Sequence, residues 1–103
     1  MMHMTVKVRF QITLSKVIDV EATYRYYMLK SSTSASPTKP TTYPTSSDWS
    51  DNEPSYTTGS TNTLYVADCN VFSDGSWKYT NVCKSSAYEA AKEAYNKETL
   101  RVL

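Results

Sequence analysis

The chain has 103 residues, enough for one domain with a single modest core. Ten acidic against eleven basic residues leave a formal charge of +1, so no basic field attracts a phosphate backbone and no nucleic-acid partner is expected. No apolar stretch reaches the roughly 18 residues a spanning helix needs, so no membrane insertion is expected either.

The start, Met1 to Met4, has neither a charged n-region nor an apolar h-region. It reads as a disordered start or cloning remnant, not as a secretory signal. From Thr5 to Leu14 the chain alternates: Val6, Val8, Phe10, Ile12 and Leu14 against Thr5, Lys7, Arg9, Gln11 and Thr13. That period of two describes a strand with one buried and one wet face. Val17 to Leu29 reads as one bent strand or two short ones. Its parity changes around Tyr26 and Tyr27, where a bulge would absorb the extra residue.

From Ser31 to Thr63 the character changes. Pro37, Pro40, Pro44 and Pro54 among many Ser and Thr exclude a helix or a central strand. So long a structureless stretch is unusual in a compact domain, so Trp49 is expected to pin its middle to the core. Residues 33–46 are expected to form a mobile loop.

Leu64–Phe72 and Trp77–Lys84 flank Ser73-Asp74-Gly75-Ser76, a strong hairpin signal. Asp74 and Gly75 as a two-residue type I′ turn set Phe72 opposite Trp77, Asn70 opposite Tyr79 and Val66 opposite Cys83. Cys69 and Cys83 then lie on opposite faces, which forbids a disulfide between them and makes both free thiols. Ser86 with Glu89 three residues later reads as a capping box opening a helix. Tyr88, Ala91 and Tyr95 share one face of it, and Glu93 pairs with Lys97. The organisation expected is a start at 1–4, a β domain at 5–85 with a long loop at 31–48, a helix at 86–98 and a tail at 99–103.

Reactive groups are sparse. His3 is the only histidine and sits in the start, so a Ser/His or Cys/His nucleophile is not expected, and no catalytic residue is assigned. The two glycines, Gly59 and Gly75, make no phosphate loop. Asp19 and Glu21 read as solvated strand carboxylates. Asp48, Asp51 and Glu53 form one acidic cluster whose spacing fits no dedicated calcium loop; Asp48 or Asp51 capping a turn is the simpler reading, and no metal is expected. Nine tyrosines and two tryptophans are many for this length. Among them Trp49, Tyr43, Tyr56, Trp77 and Tyr79 offer rings for stacking on sugars, with Trp49 read first as the core anchor. Tyr43, Trp49 and Tyr56 are the candidate ligand-binding residues. Trp49, Asp74, Gly75, Ser86 and Glu89 are the structural ones.

Several stretches recur in one order: Tyr24-Arg25-Tyr26-Tyr27-Met28-Leu29-Lys30-Ser31-Ser32, Pro37-Thr38-Lys39-Pro40-Thr41 and Trp49-Ser50-Asp51-Asn52-Glu53-Pro54-Ser55-Tyr56. Thr61-Asn62-Thr63-Leu64-Tyr65, Phe72-Ser73-Asp74-Gly75-Ser76 and Ser85-Ser86-Ala87-Tyr88-Glu89-Ala90-Ala91-Lys92 follow. In that order they resemble a module of tail and tail-fibre proteins, the minor structural and host-recognition proteins of phages and prophages of Gram-positive bacteria. The Thr5–Leu14 strand lies outside the resemblance. The resemblance implies a mainly β fold, a small Ig- or fibronectin-like antiparallel β-sandwich, with one short C-terminal α-helix. It further implies a non-enzymatic structural or adhesive role in the virion tail, after synthesis in the bacterial cytoplasm. The implied partners are other tail-protein segments or copies of the chain, and no cofactor is implied. A carbohydrate-binding module for cell-surface glycan, using exposed aromatics around Trp49, is the alternative.

Overall fold

The computed structural model describes residues 17–45 and 48–102, with side chains as far as Lys97. The strand read at Thr5–Leu14, the start at 1–4 and His3 lie outside these residues.

Alternation builds the sheet. In β1 (Val20–Lys30), Tyr24, Tyr26 and Met28 point one way, and Arg25, Tyr27 and Leu29 the other. Antiparallel β2 (Thr63–Phe72) meets it in the register Tyr24↔Cys69, Tyr26↔Ala67 and Met28↔Tyr65. β3 (Trp77–Tyr79) and β4 (Cys83–Lys84) pair in turn along the other edge of β2, completing a four-stranded antiparallel sheet. The main core cluster lies on one face, where Tyr26, Tyr65, Ala67, Cys69 and Tyr79 are buried with Trp49; Leu64, on the other face, and Tyr88 of the helix are buried outside it.

That face is covered by the connection from Ser31 to Asn62, not by a second sheet. Among the described residues there is one sheet, so the two-layered sandwich is not what encloses this core. Trp49, 6% exposed, inserts from the connection. Its neighbour Ser50 bridges the free edge of β1: Tyr27 N–H donates to Ser50 O (2.7 Å), and Ser50 N–H donates to Tyr27 O (2.9 Å). Part of the stretch read as a free loop at 33–46 is also docked. Pro40 is buried, Tyr43 stacks on Tyr24, and the Tyr79 hydroxyl donates to Thr42 O at 2.8 Å.

β1 is a single strand. Its irregularity falls between Val20 and Ala22, not at Tyr26–Tyr27, which simply take opposite faces. The hairpin lies where Asp74-Gly75 put it, one residue out of the expected register. Gly75 N–H donates to Phe72 O (2.9 Å) and Phe72 N–H to Ser76 O (2.8 Å). Gly75 has φ +89°, and no non-glycine residue among those described has positive φ. The loop is thus a type I turn closed by a left-handed glycine, three residues long instead of two. Cys69 consequently pairs with Tyr79 and Val71 with Trp77. An extra residue between Thr80 and Cys83 then restores Val66↔Cys83 as read from sequence. Both cysteines are free, Cys69 buried and Cys83 exposed.

α1 (Ser86–Val102) continues past the expected end at 98 and takes in most of the expected tail at 99–103. Its cap is Ser85, one residue before the one read. The Ser85 Oγ accepts the Tyr88 N–H (3.2 Å), and the first helical bond runs from Glu89 N–H to Ser85 O (3.1 Å). Ser86 is therefore the first helical residue. Glu89 pairs with Lys92 at 2.8 Å, so the helix's ion pair among the described residues is this one and not Glu93–Lys97. The helix docks through Tyr88, 4% exposed, whose hydroxyl lies 3.2 Å from Ser60 Oγ. It docks also through Lys92, whose ammonium donates to Asn62 O (3.0 Å) and Thr63 Oγ1 (3.3 Å).

Ser85→Ala should cost about 1 kcal/mol in chemical denaturation, as lost N-caps do, and Ser86→Ala only a few tenths. Equal effects, or a larger one at Ser86, would contradict the cap. Gly75→Val should cost about 1–2 kcal/mol by forcing a β-branched residue into the left-handed region. An unchanged denaturation midpoint would contradict the turn.

Candidate binding surface

The pleat divides the side chains by chemistry. On the core face, at the end of the sheet where β3 begins, lie Ala22, Tyr24, Val71, Trp77 and Tyr79. The other face carries Arg25, Asp68, Asn70 and Lys78. The first set has no charged member. The second is polar throughout.

The connection covers the core face incompletely. Tyr24 stays 45% and Trp77 39% exposed, although Tyr79, next to Trp77 on the same face of β3, is buried. The rings are held against each other. Tyr24 and Tyr43 stack with centroids 5.7 Å apart and planes 26° apart. Trp77 meets Tyr79 edge-on at 5.7 Å, and Tyr79 lies 6.2 Å from Tyr26. Burial pushes the Tyr79 phenol far above its ordinary value, so it stays protonated and donates to Thr42 O. The Tyr43 phenol is raised as well, by desolvation first and then by its hydrogen bond with Tyr24. Burial also raises the Cys69 thiol. This face offers polarisable rings with hydroxyls at their rims.

On the opposite face Arg25 grips Asp68 through two bonds, Nε to Oδ1 at 2.8 Å and Nη2 to Oδ2 at 3.0 Å. Thr23 Oγ1 donates to Asn70 Oδ1 at 2.7 Å. The Arg25 guanidinium's hydrogen bond holds the Asp68 carboxyl below the usual aspartate value, against desolvation that works the other way. Bonding to Asp68 raises Arg25 in return. Beside this pair a cleft of about 290 Å³ opens among Tyr27, Glu53, Cys83, Lys84 and Ser86. Its charges are of both signs, and Arg25 is already spoken for.

The three residues proposed from sequence as a ligand surface do not meet. Trp49 is a core residue and offers no ring to solvent. Tyr56 packs edge-on against Tyr88 at 5.4 Å on the helix side, its hydroxyl accepting the Gly59 N–H at 3.1 Å. Tyr43 alone borders the exposed aromatic face. Asp48, Asp51 and Glu53 do not converge: among the described residues no three His, Cys, Asp or Glu groups stand where they could hold a metal ion. The turn after Trp49 is closed by Ser50 Oγ, which accepts the Asn52 N–H (3.1 Å), and by neither acid. Asp74 accepts from Ser76 N–H (2.9 Å) and Ser76 Oγ (2.6 Å) and so shapes the hairpin loop. Sequence reasoning missed Tyr24, the Arg25–Asp68 pair and Lys92. The first two were available from the pairing of β1 with β2, once its register is known; nothing local marks Lys92.

No protein-family model, curated protein or solved structure matches the chain.

With dithiobis(nitrobenzoate) at pH 8, the native protein should release one thiol equivalent quickly, from exposed Cys83, and the second only on unfolding. Rapid release of both would contradict the burial of Cys69. Because Asp68 is lowered in the folded state, its pair contributes above the unfolded aspartate value of 3.8 and fades as pH falls through and below it. Arg25 is largely exposed, so Asp68→Asn should cost under about 1 kcal/mol at pH 7 and almost nothing at pH 2.5. A cost that stays constant over that range would contradict the pair.

Proposed function

We propose that the chain is a non-enzymatic structural and adhesive module of a phage or prophage tail protein, spacing or presenting host-binding regions. One observation carries most weight. α1 is docked over its first turns, through Tyr88 and Lys92, and one turn further on the Tyr95 ring lies against Gly59, while the residues from Glu93 to Lys97 keep their outer sides exposed. At 17 residues it is roughly 25 Å long, and it runs on about two turns past Tyr95. An isolated helix of this length is marginal in water, and continuation into a neighbouring segment or copy would stabilise it. A linker between modules of a fibre needs that arrangement.

The stretches that carry the resemblance support the reading further, because they coincide with the parts that organise the fold. They comprise β1, the Trp49 anchor, the start of β2, the hairpin loop and the helix cap. The finer architecture belongs to the same proposal: in an Ig- or fibronectin-like sandwich, the sheet described above would be one of two layers. The partners in this reading are other tail segments or copies of the chain, and its place is the virion tail.

The carbohydrate-binding reading has an observation of its own, the exposed rings of Tyr24 and Trp77 with Tyr43 beside them. It uses these and not Trp49. The two readings are compatible, since an adhesive tail module touches the cell surface.

Mass spectrometry of gradient-purified particles induced from the encoding strain tests the tail assignment. Peptides of this chain should co-purify with tail proteins at constant stoichiometry. Recovery in the lysate with none in the particles would overturn it.

A further inference from the structure

We infer that the face formed by Tyr24, Tyr43 and Trp77 is a binding site for a neutral glycan. This rests on the carbohydrate-binding reading and gives it a place and a ligand class; it is independent of whether the chain resides in a tail.

Exposure comes first. Large rings 45% and 39% exposed on one sheet face, above an apolar floor of Ala22 and Val71, form the kind of patch that marks an interaction site. Rigidity comes second. Tyr24 is backed by its stack with Tyr43, and Trp77 by its edge contact with buried Tyr79, which the Thr42 carbonyl holds in place. Rings fixed in this way lose little entropy when a ligand lies on them. Spacing comes third. Tyr24 sits on β1 and Trp77 on β3, one pair further along, so two inter-strand spacings and one pleat repeat set them roughly 12 Å apart. A short run of sugar rings spans that interval, with one ring near each aromatic.

Charge selects the ligand. Of the sheet's charged residues at this end, Arg25, Asp68 and Lys78 belong to the opposite face, with the arginine and aspartate bonded to each other, and acidic Glu21 sits at the bulge beside Ala22. An acidic or phosphorylated polymer finds no countercharge among the rings. A neutral pyranose presents electropositive C–H faces to the negative π faces, and hydroxyls to the Tyr24 and Tyr43 phenols at the rim. A protein partner would normally bring a larger and more apolar complement to such a patch than these few rings provide.

Affinity electrophoresis tests this with mannan, β-glucan and galactan as neutral probes and polygalacturonate as the acidic control. At least one neutral polymer should retard the chain. Tyr24→Ala/Trp77→Ala should weaken that retardation at least about tenfold. Trp77→Phe, which keeps a ring, should restore most of it, and Tyr56→Ala should leave it unchanged. The same neutral polymer should shield Trp77, and so reduce iodide quenching of tryptophan fluorescence in the unmodified chain; this readout requires no variant to fold. No retardation by any neutral polymer would overturn the inference, and so would retardation undiminished in the double variant or stronger with the acidic polymer. Concentration-dependent sedimentation that Trp77→Ala abolishes would overturn it in favour of a contact between copies. Any of these failures leaves the particle-association experiment untouched.

Discussion

The insertion of Trp49 into one face of the sheet is the contact on which the remaining structure depends. A single sheet with an apolar face cannot stay in water uncovered, and here the cover is a stretch rich in Ser, Thr and Pro that has little apolar surface of its own. One indole supplies much of that surface, and truncating so large a buried ring typically costs about 3–5 kcal/mol, a sizeable share of a small domain's stability. The backbone beside it must also be satisfied, and the two bonds between Tyr27 and Ser50 do that at the edge of β1. Side chain and main chain act together. The indole draws the segment onto the face, and the bridge fixes where along β1 it lies.

From that pin the connection is held at intervals. Thr42 accepts the Tyr79 hydroxyl, Tyr43 lies on Tyr24, and Tyr56 lies against Tyr88. Aromatic rings do this well because each covers a wide area with two torsions and can still present a hydroxyl to a carbonyl or to water. The abundance of tyrosine is therefore explained by architecture before any ligand is invoked. Tyrosines attach an irregular, polar segment to a regular, apolar one.

Several of these features were readable from the residues and several were not, and the division follows the range of the forces involved. Aromatic and β-branched residues in Tyr24–Leu29 and Leu64–Phe72 mark strands, because such side chains suit a pleated, half-buried surface. The lone indole at Trp49 marks an anchor for a similar reason. The hairpin loop was locatable from Asp74-Gly75, but its length was not. Both two- and three-residue loops use that dipeptide, and the choice rests on whether Asp74 also takes positive φ, which it does not. The one-residue shift moved Tyr79 opposite Cys69 and so into the core. Adjacent Ser85 and Ser86 posed a similar choice at the helix, since the capping-box spacing to Glu89 favoured Ser86. The pairing of β4 decided for Ser85, whose N–H donates to Leu64 O and whose position therefore follows from the sheet. The two-layered sandwich came from resemblance, and the described residues provide a single sheet. The face carrying Tyr24 and Trp77 needs two strand registers at once, and no local pattern specifies both.

Position along β2 gives the two outward-looking features different surroundings. The helix starts beside Leu64 and Thr63, at the first residues of that strand, and Trp77 lies opposite Val71, near its last. Seven residues at strand rise separate the two by roughly 24 Å. Side chains on the rim of the aromatic face therefore do not touch the docked turns of α1, and the two regions share no ion pair or hydrogen bond among those described. A substitution at Trp77 should leave the seating of Tyr88 and Lys92 intact, because independent sites more than about 10 Å apart contribute additively to stability. Under the proposed role of a tail module with an adhesive face, that separation would let one end vary without loosening the other. The cover is most open at the Trp77 end, where Tyr24 and Trp77 stay exposed. There the described tethers include Thr42 and Tyr43, whereas at the other end Tyr88, the Lys92 ammonium and Tyr56 tie the helix to the start of β2 and the segment before it.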